Sequence, residues 1–307
     1  MHGLKLITLL GYKLKNNVHP KTIEVSSLAL DNRLGLAAGL DKNGDFIDSL
    51  ASLGFGFLEI GTVTPRPQLG NSKPRLIKLI KEKALVNKMG FNNKGVDYLI
   101  EKLVLKKSNI PLGISIGKNF DTPNSKAFQD YIICLNKVYE HCSYIAVNIS
   151  SPNTKDLRNL QSRAELDNLL KKLKVRQNEL ALIHGHKPLF VKISPDNSNS
   201  ILEGICESLL KNKIDGVICS NTTSDHNYFK GEGGLSGSPL LNKSTNVLKF
   251  IRKKLGKDFP IIASGGVMTA NNFEEKLASG ADLVQIYTGF IYEGPNLVKK
   301  IIDQDLG

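Results

Sequence analysis

The chain has 307 residues, 41% of them apolar, a length that suits one α/β barrel with a small appendage. It shows no signal peptide and no unbroken run of eighteen apolar residues, so no membrane span is expected. The formal charge of +12 admits an acidic ligand, an anionic membrane surface or nucleic acid, but the lysines are scattered and rarely interleaved with aromatics, which argues for a solvated surface and against nucleic acid.

In the first twenty residues Leu4, Ile7, Leu10 and Leu14 fall on one helical stripe, and Lys5, Lys13, Lys15 and Lys21 precede the first acidic residue, Glu24. A basic amphipathic helix of this kind suits a bilayer surface or the face of its own domain. Eight short apolar runs follow, at 34–38, 57–62, 111–116, 144–150, 189–194, 216–221, 260–264 and 283–288. They are five to seven residues long without strict alternation, as expected of parallel strands covered on both faces. Helical period fills the gaps: residues 125–142 carry Phe128, Ile132, Leu135, Val138 and Tyr139 on one face, and 163–182 and 200–211 behave similarly. Strand alternating with helix eight times predicts an α/β fold of (β/α)8 barrel type, with a doubly wound open sheet as the alternative. One connection, residues 63–92, is longer than the rest, and an insertion on the catalytic face is expected to be functional.

The cysteines Cys134, Cys142, Cys206 and Cys219 have neither CxxC spacing nor a histidine at zinc-ligand spacing, and read as reduced, mostly buried thiols of a cytosolic protein. No metal cluster is visible, and the six histidines avoid the strand ends. No GxGxxG opens a βα unit, and GISIGKN at 113–119 fails the P-loop spacing. In a barrel, chemistry belongs in the loops that follow the strands. Ala263-Ser264-Gly265-Gly266 and Tyr287-Thr288-Gly289 end the seventh and eighth strands, where backbone N–H groups grip a phosphate, and Gly234 to Gly237 are expected to cover the same site. An inward Lys192 in the apolar strand LFVKIS beside a phosphate suggests FMN, because a lysine there stabilises an anionic reduced ring. The alternative for Lys192 is an ion pair with Asp41 or a similar carboxylate. Asn87, Asn148, Asn153 and Asn221 offer carboxamides to a planar ligand with amide-like edges, and Lys42 offers a cation to its carboxylate. Each asparagine alone reads equally well as a helix or turn cap.

The segments AAGLDKNG, EIGTVTPRPQLGN, NKMGFNNKG, NISSPNTKDLRNLQ, VKISPD, SNTT, GGLSG and VQIYTGFIYEGP run in this order from about Gly35 to the C-terminus. They resemble the successive motifs of the class 2, quinone-dependent dihydroorotate dehydrogenases. The resemblance implies an FMN-binding barrel over 25–307 and, over 1–24, a partial helical segment on the quinone and membrane side. MHGLKLITLLGYKL resembles only the second part of the family's N-terminal helical pair, so that extension is expected to be incomplete. The implied reaction is oxidation of (S)-dihydroorotate to orotate in de novo pyrimidine (UMP) biosynthesis, with a membrane quinone as electron acceptor. The implied location is peripheral, on the cytoplasmic side of the inner membrane.

Ser151 matches the base that takes the C5 proton while a hydride leaves C6. Related cytosolic classes carry cysteine in that slot, so serine favours the membrane class over a soluble class 1 enzyme using fumarate or NAD. The same resemblance gives Lys42, Asn87, Lys88, Met89, Gly90, Phe91, Asn148, Asn153, Asn221 and Thr222 to the substrate. It gives Ala38, Thr62, Ser115, Asn148, Lys192, Ser220, Gly237, Gly266, Tyr287 and Thr288 to FMN. Ser115 stands where the family usually has asparagine, and Ser220 where threonine is common. Thr154 and Phe91 are expected to order a water that carries the proton away, and residues 153–162 to move as a lid. Asn148 and Ser150 share a strand face, with Ser151 the first residue turned out over the strand end and Ser150 a structural hydroxyl.

Overall fold

A computed structural model describes residues 22–228 and 231–306; the apolar stripe expected at residues 4–14 lies outside them. The strands, in chain order, are β1 (Ile23–Val25), β2 (Leu28–Leu30), β3 (Leu34–Leu36), β4 (Phe57–Val63), β5 (Leu76–Leu79), β6 (Ala84–Asn87), β7 (Leu112–Ile116), β8 (Tyr144–Asn148), β9 (Leu189–Ile193), β10 (Gly216–Cys219), β11 (Gly234–Gly237), β12 (Ile261–Ser264) and β13 (Leu283–Ile286). Each of the eight expected runs supplies one strand of a closed barrel in the order β10-β12-β13-β3-β4-β7-β8-β9, which removes the open-sheet alternative. All residues of these eight strands are buried, because helices cover the outside and side chains fill the inside. That double burial is why the runs lack alternation.

The helix Ala127–Val138 buries Ala127, Asp130, Tyr131, Cys134, Leu135 and Val138. Phe128 and Ile132, expected on the buried stripe, are only half-buried. The buried face is rotated because Asp130 turns inward to accept the Asn119 N–H at 2.8 Å, while Phe128 packs under Lys172 of the helix Arg163–His184, 3.5 Å from its ring centre.

The bottom of the barrel is closed by aromatics. Tyr144 meets Phe190 and Phe57 edge-on, at 5.5 and 6.2 Å between ring centres. Each ring rests on a glycine of another strand: a Cβ at Gly35, Gly113 or Gly216 would come within 2.2, 2.0 or 2.2 Å of Phe57, Tyr144 or Phe190. The β1–β2 hairpin adds Leu28 and Leu30 to this plug. At the other end the 63–92 insertion forms the β5–β6 hairpin, which pairs with β11 in a small antiparallel sheet.

Gly113→Ala is expected to destabilise the fold by about 1–3 kcal/mol through overpacking against the Tyr144 ring. Urea unfolding measures this, and an unchanged midpoint would show that the plug yields freely.

Candidate active site

The ends of the barrel strands and the small sheet line an open cavity, ≈ 1010 Å³ with the solvent space at its mouth included. Its wall holds every site residue expected from the sequence except Ser115, Lys88, Gly90 and the water-ordering Thr154. Ser115 is fully buried with its Oγ 2.8 Å from Thr62 Oγ1, so it backs Thr62 instead of reaching the cavity. Lys88 and Gly90 miss the cavity because the chain turns after β6, with Gly90 at φ 65°, and it is Asn87, Met89 and Phe91 that reach the wall. The Lys88 N–H donates to Arg75 O, and Gly90 O accepts from Gln68 Nε2. Phe91 holds this turn with φ at 51°, in the left-handed region that a side chain seldom adopts.

The carboxamides are joined into two chains. Asn153 Nδ2 donates to Asn87 Oδ1 at 2.8 Å, and Asn87 Nδ2 to Gly234 O at 3.1 Å. Asn221 Nδ2 donates to Ser150 Oγ and Asn148 Oδ1, and Asn148 Nδ2 to Thr62 Oγ1 at 2.8 Å. Ser150 is thus committed to the network, whereas Ser151 lines the cavity and meets only the Asn153 N–H, at 3.3 Å. No carboxylate, imidazole or ammonium contacts Ser151 among the described residues. The Thr154 and Thr222 hydroxyls are buried without a hydrogen-bond partner among the described residues.

Lys192, on β9, reaches the cavity floor, and its counter-charge is Glu59 of β4 at 3.3 Å. Asp41, the carboxylate named as its alternative partner, instead accepts the N–H groups of Asn43, Asp45 and Phe46 in its own turn. Glu59 is 1% exposed, and its other oxygen accepts from Tyr144 Oη at 3.0 Å and Gln285 Nε2 at 2.7 Å. Gln285 also lines the cavity, with Oε1 buried and unpartnered among the described residues. Sequence reasoning missed Glu59 and Gln285, although each, like Lys192, is a polar residue inside an apolar strand, the signal that could have found them.

At one end of the cavity Gly266, with φ at 85°, brings the backbone against the start of the helix Leu241–Leu255; a Cβ there would lie 2.2 Å from Leu241 Cα. Thr288 Oγ1 donates to Ser236 Oγ beside it, at 2.8 Å. This is a backbone cradle at a helix N-terminus, which suits a phosphate. Elsewhere in the wall the Lys42 ammonium donates to Asn92 Oδ1 at 3.1 Å and forms no ion pair among the described residues. Burial, and then the nearby Arg75 charge, push its pKa down to about 8. The donor set therefore fits FMN: a cradle for the phosphate, and a buried cation with an orphaned carbonyl for the polar edge of a flat ring.

Arg158 ties the expected lid to three loops, a role the sequence did not reveal. It donates to Ser150 O at 3.1 Å, Thr222 O at 3.1 Å, Ser224 Oγ at 2.9 Å and Asp196 Oδ2 at 2.8 Å. Burial pulls the Asp196 carboxyl up, but hydrogen bonds from Lys243, Thr223, Ser224 and Arg158 outweigh it and hold the group well below the usual carboxylate range.

Fold and site define a (β/α)8-barrel enzyme class with a polar cavity at the ends of its strands. The family model described as dihydroorotate dehydrogenase matches residues 21–306. A protein of Photobacterium profundum named dihydroorotate dehydrogenase (quinone) is 52% identical over 295 residues, 94% of this chain and 88% of its own. One of the same name from Vibrio atlanticus is 53% identical, over 92% of this chain and 86% of its own. The solved ligand-free DHODH of Eimeria tenella superposes with a TM-score of 0.88 at 33% identity, covering 98% of this chain and 92% of that one. This chain belongs to the dihydroorotate dehydrogenase family.

Arg158→Met removes charge-assisted hydrogen bonds of about 1.5–3 kcal/mol each. Amide hydrogen exchange across 153–162 is expected to speed up at least about tenfold, and exchange at the wild-type rate would exclude Arg158 as the fastening of this segment.

Proposed function

We propose that this chain oxidises (S)-dihydroorotate to orotate with FMN as its bound cofactor and a membrane quinone as electron acceptor, a step of pyrimidine biosynthesis. The carrying observation is Ser151, a hydroxyl in the wall of a carboxamide-lined cavity that accepts one N–H, from Asn153, among the described residues, in a chain of this family. Relatives named dihydroorotate dehydrogenase (quinone) support the acceptor. We assign residues 1–24 to the quinone and membrane side of a peripheral protein on the cytoplasmic face of the inner membrane, and 25–307 to the FMN-binding barrel. No helix among the described residues is long and apolar enough to cross a membrane.

FMN, when bound, supplies the hydride acceptor. The Gly266 turn, Gly237 and Thr288 hold its phosphate, and Ala38, Thr62, Asn148, Lys192, Ser220 and Tyr287 surround the rest. Ser115 acts through Thr62, which it holds in place. Lys42 pairs with the carboxylate of the substrate. Asn87, Asn148, Asn153, Asn221 and Thr222 fix the substrate ring by its amide edges, with Met89 and Phe91 packed beside it. Ser151 Oγ takes the proton from C5 as hydride leaves C6, so the C5–C6 bond becomes double. A serine without a base beside it is weakly basic. Its proton must leave as it arrives, and the unpartnered Thr154 hydroxyl, with Phe91 shielding that side, is the group suited to order a carrier water. Lys192, held by Glu59, stabilises negative charge developing at the cavity floor.

Two outcomes test this reading. Ser151→Ala is expected to slow anaerobic bleaching of the flavin by dihydroorotate by about 10²–10⁴-fold with FMN still bound. Bleaching at the wild-type rate would sink the assignment. Because the Lys42 pKa is pushed down to about 8, the ammonium is complete below that pH and is lost above it. Orotate affinity is therefore expected to fall above pH 8, by up to about tenfold per unit, and to lose this pH dependence in Lys42→Met. Fluorescence titration with orotate reads both.

A further inference from the structure

Lys276 lies on the helix Ala270–Ala278, between β12 and β13, and is completely buried. Its ammonium donates to two hydroxyls of the helix Leu241–Leu255, Ser244 Oγ at 2.6 Å and Thr245 Oγ1 at 2.8 Å. It forms no ion pair among the described residues, unlike the buried Lys192. A buried charge without a counter-charge is costly, and here burial pushes the ammonium down to about 8.

The surroundings show where this charge is directed. Ser244 Oγ, which accepts from Lys276, has two carbonyls in reach of its own proton, Gly265 O at 2.9 Å and Leu241 O, one turn back in its helix, at 3.0 Å. Gly265, Gly266 and Val267 then line the cavity. The chain of contacts runs from buried cation through one hydroxyl to the turn that presents its backbone to the ligand. The start of helix 241–255 packs on the same turn, so helix dipole and monopole act on one place.

We propose that Lys276 is the positioning charge of the phosphate end, a cation kept out of water and out of ion pairs so that its field gives this end its affinity for a dianionic phosphate. The proposal rests on the FMN reading above and names the residue behind the cradle that completes it. The other ionisable groups acting on Lys276 are Glu275 of its own helix and the Cys219 thiol at the end of β10. Arg252 of helix 241–255 is engaged by Asp282, and Lys299, Lys300 and Asp303 of the helix Pro295–Asp305 face solvent. Gln285 of β13 faces the barrel interior.

The test compares FMN with riboflavin, which lacks only the phosphate, by fluorescence titration of the flavin-free full chain. Lys276→Met is expected to lose at least about tenfold in FMN affinity and to keep its riboflavin affinity within about twofold. In the wild type the ratio of FMN to riboflavin affinity is expected to fall as pH rises past about 8, by up to about tenfold per unit, and to be flat in the variant. The second ionisation of the FMN phosphate is centred near pH 6 and is about nine-tenths complete by pH 7, below this window. Equal weakening of both flavins, or of neither, would make Lys276 a stitch between helices and overturn the proposal. Should Lys276→Met not fold, the wild-type profile decides alone, because a flat ratio from about pH 7 to 9.5 also overturns it. A wild type that binds neither flavin refutes the FMN reading, and the inference falls with it.

Discussion

Inside the barrel Glu59 and Lys192 face each other at 3.3 Å, nearly without solvent, and Tyr144 and Gln285 occupy the second carboxylate oxygen. Removing two charges from water costs several kcal/mol each unless partners satisfy their remaining hydrogen-bonding capacity. Here β4, β8, β9 and β13 each contribute one member, so the charge layer can form only when the barrel is closed. It separates two environments. Below it the aromatic plug is dry and apolar, and above it the carboxamides line a cavity open to ligand. A cation can stand at the floor of that cavity because its counter-ion stands behind it.

The same division of labour recurs around the site. Groups that face the cavity are held by groups that do not: Thr62 by Ser115, Asn87 by Gly234, the Thr222 carbonyl by Arg158, and the Gly265 carbonyl by Ser244. Such support fixes donors and acceptors before a ligand arrives, which is how an active site lowers reorganisation during reaction. Ser151 is the exception, since its hydroxyl touches one backbone N–H and is otherwise left to the ligand. A base with so few partners depends on the geometry its neighbours impose.

Much of this was legible from the chain. Parallel strands buried on both faces are simple apolar runs, so all eight barrel strands could be read, and polar residues or glycine at their ends pointed to the cavity wall. What escaped lies in long-range pairing. Lys192 and Glu59 are 133 positions apart, and the carboxylate nearer to the eye, Asp41, is consumed by its own turn. Ser115 is short enough to be covered by Thr62. Arg158 and Lys276 look like any of the 41 lysines and arginines of a basic chain, and only the packing distinguishes a clasp or a buried cation from solvated surface. Residues 88 and 90 fell outside the cavity because the sequence marked a run, whereas the backbone turns at Gly90 and Phe91.

The glycine and aromatic pairs of the barrel floor constrain how such a chain can change over time. Phe57 on Gly35, Tyr144 on Gly113 and Phe190 on Gly216 each match a bulk to a void. A side chain added at the glycine alone meets a ring, and a ring removed alone leaves a hole, so both single steps are unfavourable. These positions must therefore drift as couples or not at all, which makes the floor a slowly varying signature of the fold.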